Sequence, residues 1–221
     1  MSYSPNEDQL LINIVEHLKL PLTNISLKSE IANLIDIKSL ADNSIRLIDG
    51  FILGLNLAQN ELNLEPVSVS EVLSDAAHNL TKTARIYNCN LSLRIEGKFA
   101  PVMSSKTEME SALTLIGQTV IESNLDKNKE VIINAYKSGN KIIAGVFTSD
   151  LKITNDSLRK AIISAGLVRQ GLPDFSHSPV AGIYAADLLL TRLTSKLQVF
   201  HHNNLAGLAG NFIPSQQLSL I

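Results

Sequence analysis

Apolar residues in the first third of the chain recur every three or four positions, which is the spacing of an amphipathic helix. One such stretch covers about residues 5–34, and a second covers about residues 39–60. The second stretch is apolar enough to need burial on more than one side. A hairpin of two such helices cannot cover its own apolar surface, so the pattern predicts a dimeric four-helix bundle.

The stripe of the first predicted helix is formed by Leu10, Leu11, Ile14, Val15, Leu18, Leu22 and Ile25. At about 100° per residue, the stripe is centred between Ile14 and Leu18, so Glu16 lies roughly opposite its centre. His17 lies only about 95° from the centre, where it is most simply a histidine on the shoulder of a helix interface. Leu20, one turn after Glu16, also points outward. The outward side therefore carries a carboxylate and an exposed leucine.

The rest of the chain mixes helical and strand patterns. The segments S-V-S-E and S-K-T-E are capping boxes, and S-G-N is a hairpin signal between two alternating stretches. Helices are predicted over about residues 69–85, 106–121, 155–163 and 180–193, and strands over 90–95, 131–136, 141–147, 196–200 and 209–214. The L-E-P-V segment at residues 64–67 is predicted to be a linker, because its proline stops the preceding helix. This order predicts an α+β sandwich with the helices on one face of a sheet.

The chain has 221 residues, of which 45% are hydrophobic and 18% charged, with a formal net charge of −2. This balance gives no electrostatic reason to expect binding to nucleic acid or to an anionic membrane. The single cysteine, Cys89, excludes an internal disulfide framework and a cysteine-based metal cluster. No signal-peptide pattern is visible, and no run approaches the roughly 18 apolar residues of a membrane span. The composition therefore predicts a cytoplasmic protein without a membrane segment.

The segment V-E-H-L-K-L-P-L-T places a proline early in the first predicted helix, which is unusual because proline removes a backbone donor. It resembles the H-box of bacterial sensor histidine kinases, whose pattern is S-H-E-L-R-T-P-L-T. With the P-L-T ends aligned, the family's phosphoacceptor histidine falls on Glu16, the neighbouring acid on His17 and the threonine on Leu20. The resemblance implies that receiver domains bind this surface, which consists here of Glu16, Lys19, Leu20 and Thr23.

The element order after residue 64 resembles the catalytic ATP-binding domain, of the Bergerat type, that follows the hairpin in histidine kinases. The segment I-R-L-I-D-G-F in the second predicted helix is likewise similar to the family's R-L-I-D-D-L-L. The resemblance implies two domains. Residues 1–63 form a dimerisation and phosphoacceptor-like hairpin, and residues 64–221 form a degenerate ATP-binding-like domain.

The same resemblance locates the family's nucleotide-binding positions. The Mg²⁺-binding asparagine falls on Thr119 and an earlier asparagine on Leu115, and a hydroxyl is a feeble substitute for a carboxamide oxygen. The adenine-reading aspartate falls on Thr148. In the G-T-G-L-G box only Gly182 remains, and Pro179 removes a backbone donor that could have faced a phosphate. We therefore expect no cofactor, neither ATP nor Mg²⁺.

Other polar residues are weaker candidates. Asp150 follows the Thr148 position closely, and a solvated loop carboxylate is its simplest interpretation. His201 and His202 are adjacent, so on a strand they point to opposite faces and do not share a metal ion easily. The segment N-N-L-A-G at residues 203–207 is predicted to be a hairpin loop, and Gly207 and Gly210 to be turn residues.

These observations support two functions of different classes. The first is a catalytically inactive, histidine-kinase-like (pseudokinase) scaffold of two-component signalling, whose homodimer docks a receiver domain or a partner histidine kinase. The alternative is an ATP-independent histidine phosphotransferase, which would relay phosphate between receiver aspartates through His17 with Glu16 beside it. The chain is similar in layout to such bacterial phosphotransferases. A working kinase with an unconventional nucleotide site is the third interpretation.

Overall fold

The computed structural model describes Ile25, Ile37 and residues 63–123, 130–149, 151, 153–164, 181–193 and 195–215. Ile25 and Ile37 are each helical. Ile25 lies within the first predicted helix, whereas Ile37 lies in the break predicted between the two helices, at residues 36–38, so that prediction was wrong at Ile37. The predicted four-helix bundle otherwise lies outside the described residues, so the fold is described from Asn63 onward.

The described part of the chain contains helices and strands in an α+β order, as predicted. The helices are α1 (Val69–Ile86), α2 (Lys106–Ser123), α3 (Asn155–Ser164) and α4 (Ala181–Arg192). The strands are β1 (Glu65–Val67), β2 (Asn90–Glu96), β3 (Val102–Ser104), β4 (Glu130–Ser138), β5 (Lys141–Thr148), β6 (Gln198–His202) and β7 (Leu205–Phe212). None of the described helices is both long enough and apolar enough to cross a bilayer.

Two of the predicted helices begin with a capping hydrogen bond, and in the second of them Thr154 makes it, one of the two residues, Asn155 and Thr154, that the sequence offers as a cap. The Ser68 hydroxyl accepts a hydrogen bond from the Glu71 backbone N–H at 3.4 Å, at the start of α1. The Thr154 hydroxyl accepts one from the Ser157 backbone N–H at 3.2 Å, at the start of α3. Each cap satisfies a backbone donor that the first turn of a helix leaves unpaired. Gly139, in the turn between β4 and β5, has a φ of 61°, which explains the glycine in the hairpin signal.

The main sheet has five strands in the order β2-β4-β5-β7-β6. Strand β2 pairs parallel with β4, and the other neighbours pair antiparallel. Strands β2 and β6 are therefore the two edges. Strands β1 and β3 form a separate two-stranded antiparallel sheet.

The main core lies between the helices and one face of this sheet, which we call the helix face. It includes fully buried side chains from α1, α2 and the central strands: Leu73, Leu80, Met109, Leu113, Ile116, Ile133 and Ile142. A smaller cluster lies on the opposite face, which we call the open face: Tyr136, Ile143, Phe147 and Ala209, with Phe200 and Leu205 packed against them. The prediction of helices on one face of a sheet is thus confirmed.

Two local predictions were wrong. Residues 64–67 were predicted to be a linker, but Glu65–Val67 forms a strand, because Val67 is buried and pairs with Val102. The loop predicted over residues 203–207 is a two-residue turn at Asn203 and Asn204, after which β7 begins at once. Both asparagines adopt positive φ, of 48° and 62°, so they make the tight turn without glycine.

Candidate functional site

The position that the resemblance equates with the Mg²⁺-binding asparagine is buried in α2. Thr119 is 3% exposed, and its hydroxyl donates to the carbonyl oxygen of Leu115 at 2.9 Å, one turn earlier in the same helix. Leu115, the other asparagine-equivalent position, is 3% exposed and belongs to the main core. Mg²⁺ needs several oxygen ligands in near-octahedral geometry. A buried hydroxyl whose proton is held by its own helix does not fit that requirement.

The two other nucleotide positions are buried as well. Thr148 is the last residue of β5 and, by alternation with Val146, faces the helices. Its hydroxyl is buried and has no hydrogen-bond partner among the described residues. Gly182 is the second residue of α4 and is also buried. The residues at these three positions therefore do not fit Mg²⁺ or a nucleotide.

The residues of the H-box remnant lie outside the described part of the chain. This applies to Glu16, His17, Lys19, Leu20 and Thr23, and their predicted roles stay predictions. Asp150 and Pro179 also lie outside it.

The prediction that His201 and His202 point to opposite sides agrees with the strand that holds them. They are the last two residues of β6; His201 is exposed, whereas His202 is half-buried. No group of three or more His, Cys, Asp or Glu residues in the described ranges could hold a metal ion. His202 is, in addition, part of a polar cluster on the open face.

This polar cluster joins the two edges of the main sheet. His202 of β6 lies 2.8 Å from Glu96 of β2, measured from Nε2 to Oε2, so the imidazole N–H donates to the carboxylate. The His202 ring stacks on the ring of Tyr136, with centroids 3.8 Å apart and planes 6° from parallel. Asn134 Nδ2 donates to the other oxygen, Glu96 Oε1, at 3.4 Å. We call Glu96, Asn134, Tyr136 and His202 the edge cluster.

The electrostatics of the edge cluster follow from these contacts. The hydrogen bond from His202 lowers the pKa of Glu96 below its ordinary value, and its charge and the Asn134 bond act in the same direction, against a smaller opposing effect of burial. Burial, together with the negative charge of Glu96, raises the pKa of Tyr136. At neutral pH the cluster therefore holds an ionised carboxylate and a neutral phenol.

Small residues in the middle of the open face allow its strands to approach closely. A Cβ added at Gly145 would collide with the Leu208 carbonyl oxygen and with Ala209 on the neighbouring β7. A Cβ at Gly207 would collide with the Phe147 ring. The prediction that Gly207 and Gly210 are turn residues was therefore wrong, since both lie within β7, where Gly207 makes room for an aromatic ring. Sheets twist, and the absence of side chains here lets the two edges meet over this face.

A depression of about 480 Å³ lies beside the turn between β6 and β7. It is lined by Ser149, Leu151 and residues 201–206. None of the three nucleotide-equivalent positions lines it. Ser149, however, directly follows Thr148, so the depression begins next to the adenine-equivalent position.

No local pattern in the sequence indicates the edge cluster. Glu96 and His202 are 106 positions apart, and each alone has the appearance of a surface residue near the end of a strand. The available signal was the alternation along β2 and β4, which puts Glu96 and Tyr136 on the same face once their strands are paired. The pairing itself could not be deduced from the pattern.

Solved structures of histidine kinases resemble this chain in fold. The complex of histidine kinase ThkA with the response regulator protein TrrA matches with a TM-score of 0.61 at 12% identity, over 94% of this chain and 62% of that one. Full-length ShkA in complex with AMPPNP matches with a TM-score of 0.59 at 12% identity, over 95% of this chain and 45% of that one. The Acinetobacter baumannii histidine kinase AdeS gives 0.56 at 14% identity, over 90% and 98%. No family model and no curated protein matches the sequence.

These likenesses show the fold. The chain has a histidine-kinase-like core, and the isolated catalytic domain of ThkA is similar to it, with a TM-score of 0.53 over 96% of that domain. The fold that the sequence resemblance implied for the second half of the chain is thereby confirmed.

Proposed function

We propose that this protein is a catalytically inactive, histidine-kinase-like scaffold that docks a response-regulator receiver domain or a partner histidine kinase. In this proposal, residues 1–63 pair with a second copy in a four-helix bundle, and residues 64–221 form the degenerate ATP-binding-like domain. The homodimer would present the surface that includes Glu16, Lys19, Leu20 and Thr23 to its partner.

The burial of Thr119 and Thr148 is the observation that carries this proposal. In a site that binds nucleotide, polar side chains face a cavity and are left to pair with the ligand. Here one hydroxyl pairs with its own helix, and the other is enclosed in the core without a partner among the described residues. Every lost polar contact costs a ligand about 1–3 kcal/mol. Loss of the metal and adenine contacts together removes the affinity that a kinase needs.

Two observations support a two-component partner. The first is that ThkA, one of the structural neighbours, was solved with a response regulator bound. The second is the predicted outward direction of Leu20 beside Glu16. An exposed apolar residue within a polar helix surface is typical of a binding surface.

The alternative is a histidine phosphotransferase, and the presence of His17 next to Glu16 favours it. In that case the imidazole of His17 would attack the aspartyl phosphate of one receiver, displace its carboxylate and pass the phosphoryl group to the aspartate of a second receiver. This chemistry needs no nucleotide, so an emptied ATP site is compatible with it.

The experiment that separates the two functions follows phosphate from a receiver domain that has been phosphorylated with acetyl phosphate. The scaffold function predicts that the receiver binds but that acid-labile phosphate does not appear on the protein. Transfer that is abolished by His17→Ala and retained by His78→Ala, a substitution of an exposed histidine on α1, would instead establish the phosphotransferase.

A further inference from the structure

The small sheet of β1 and β3 covers part of the main core with its inner face. Val67 and Val102 form an inward-facing pair and are 4% and 1% exposed. Pro214, just after β7, adds a third extended segment through an antiparallel bridge to Val102. Three separate parts of the chain therefore meet at this point of the surface.

The outer face of this small sheet is apolar and, in the part of the chain that the structure describes, exposed. Because side chains alternate along extended chain, the residues that neighbour the inward-facing ones point outward. The outward positions are Leu64, Pro66, Met103 and Ile213, which we call the outer patch. Pro66 and Met103 are paired across β1 and β3. Leu64, Met103 and Ile213 are 44%, 47% and 64% exposed, and Pro66 is exposed as well.

An apolar outer face needs an explanation in a sheet of this kind. Antiparallel sheets with one face on a core usually carry polar residues on the other face. The outer patch has no charged or polar side chain at any of its four positions. Contiguous apolar surface of this kind marks a place where another element packs.

Connectivity indicates which element packs there. The outer patch begins at Leu64, where residues 1–63 join the second domain. The second predicted helix has its own apolar stripe, which includes Leu40, Ile45, Ile48, Phe51, Ile52 and Leu55. At about 100° per residue, Leu53 and Leu57 lie on the opposite side of that helix. This leaves an apolar side that the predicted bundle stripe does not use.

We propose that the outer patch binds the side of the second predicted helix that carries Leu53 and Leu57, within the same chain. From Leu57 to Leu64 the chain can span at most about 25 Å, at about 3.5 Å per residue, so the helix end is within reach. A segment tethered by so short a linker has an effective concentration in the millimolar range. It therefore outcompetes the same segment of a second copy at the micromolar concentrations of a purified protein. This docking would fix the orientation of the predicted bundle relative to the second domain.

Cysteine cross-linking in the full-length chain tests the proposal. In a Cys89→Ala background, Leu57→Cys combined with Met103→Cys is treated with a short bis-maleimide. The matched control combines Leu57→Cys with Ile163→Cys, since Ile163 on α3 is also apolar and is 73% exposed. We expect the cross-link within one chain to be at least about tenfold more abundant for the Met103 pair. Equal yields for the two pairs, or adducts between two chains as the main product, would overturn the proposal.

A second measurement, which uses no cysteine variant, tests the proposal even if a cysteine variant fails to fold. Met103→Lys together with Ile213→Lys places two charges on the outer patch, and Ile163→Lys is the control. Hydrogen exchange of peptides that cover residues 50–62 should be several-fold faster in the double variant and unchanged in the control. Unchanged exchange in the double variant would contradict the docking. Neither measurement involves a receiver or a nucleotide, so its result is independent of the proposed function.

Discussion

The helix face and the open face of the main sheet both carry buried apolar side chains, but they differ in the polar groups that lie beside them. On the helix face, branched aliphatic side chains such as Ile133, Ile142 and Val146 pack against α1 and α2. On the open face, the same strands carry Gly145 and Asn134, which the alternation of side chains places opposite this core. The same strands thus contribute to the main core on one face and to polar contacts on the other.

The difference shows which polar side chains are enclosed by packing and which pair with one another. The threonines at the nucleotide-equivalent positions belong to the helix side, where packing encloses their hydroxyl groups. The edge cluster on the open face instead pairs an ionised carboxylate with a histidine and an amide. On the helix side, the burial of large aliphatic side chains stabilises the fold.

The largest expected effect concerns the close approach of strands on the open face. Gly145→Ala should lower the free energy of unfolding by at least about 1–3 kcal/mol, because the new methyl group meets the backbone of β7 and not a flexible side chain. Urea denaturation followed by circular dichroism measures this change. Gly139→Asn is the control, since asparagine tolerates the positive φ of that turn and a Cβ there meets nothing within 4 Å. A loss no greater than that of the control would show that the open face is not tightly packed.

A smaller effect, dependent on pH, is expected in the edge cluster. Glu96→Gln should cost about 0.5–1.5 kcal/mol at neutral pH, because it replaces a charged acceptor for His202 with a neutral one. The pKa of Glu96 is lowered in the folded protein, so its contribution is fully present above the ordinary value of 4.5. The contribution is lost as the pH falls through the lowered folded-state pKa. The difference between wild type and variant should therefore shrink on acidification.

Urea denaturation over a series of pH values measures that difference. Glu130→Gln, at an exposed position on the adjacent strand β4, serves as the control and should show a small difference at neutral pH. A cost of Glu96→Gln that stays constant down to about pH 3 would mean that the carboxylate charge does not contribute.

The smallest expected effect concerns the nucleotide-equivalent position on β5. Thr148→Val keeps the shape of the side chain and removes a buried hydroxyl without a partner among the described residues. The free energy of unfolding should stay the same or rise by up to about 1 kcal/mol, because no hydrogen bond is lost. A loss greater than about 1 kcal/mol, measured by thermal and urea denaturation, would indicate that the hydroxyl is paired in solution.

Local structure was predictable from the sequence, whereas contacts between distant segments were not. Ser68 and Thr154 indicate where their helices begin because a capping side chain acts within one turn of the helix. The glycine of the β4–β5 turn likewise indicates that hairpin. The strand character of Glu65–Val67 depends on pairing with residues nearly forty positions later. The Glu96–His202 contact depends on the twist of the whole sheet. The nucleotide-equivalent positions could be located in the sequence by resemblance. Their burial could not be predicted from it, because burial depends on how the distant segments pack.

Calorimetric titration with magnesium AMPPNP measures directly whether the ATP-binding-like domain binds nucleotide. ShkA, whose solved structure contains AMPPNP, is the positive control. If the nucleotide site is degenerate, we expect the 221-residue chain to give no saturable heat up to about 1 mM nucleotide, while ShkA binds under the same conditions. Saturable binding with a Kd in the micromolar range, weakened by Thr119→Val, would contradict it.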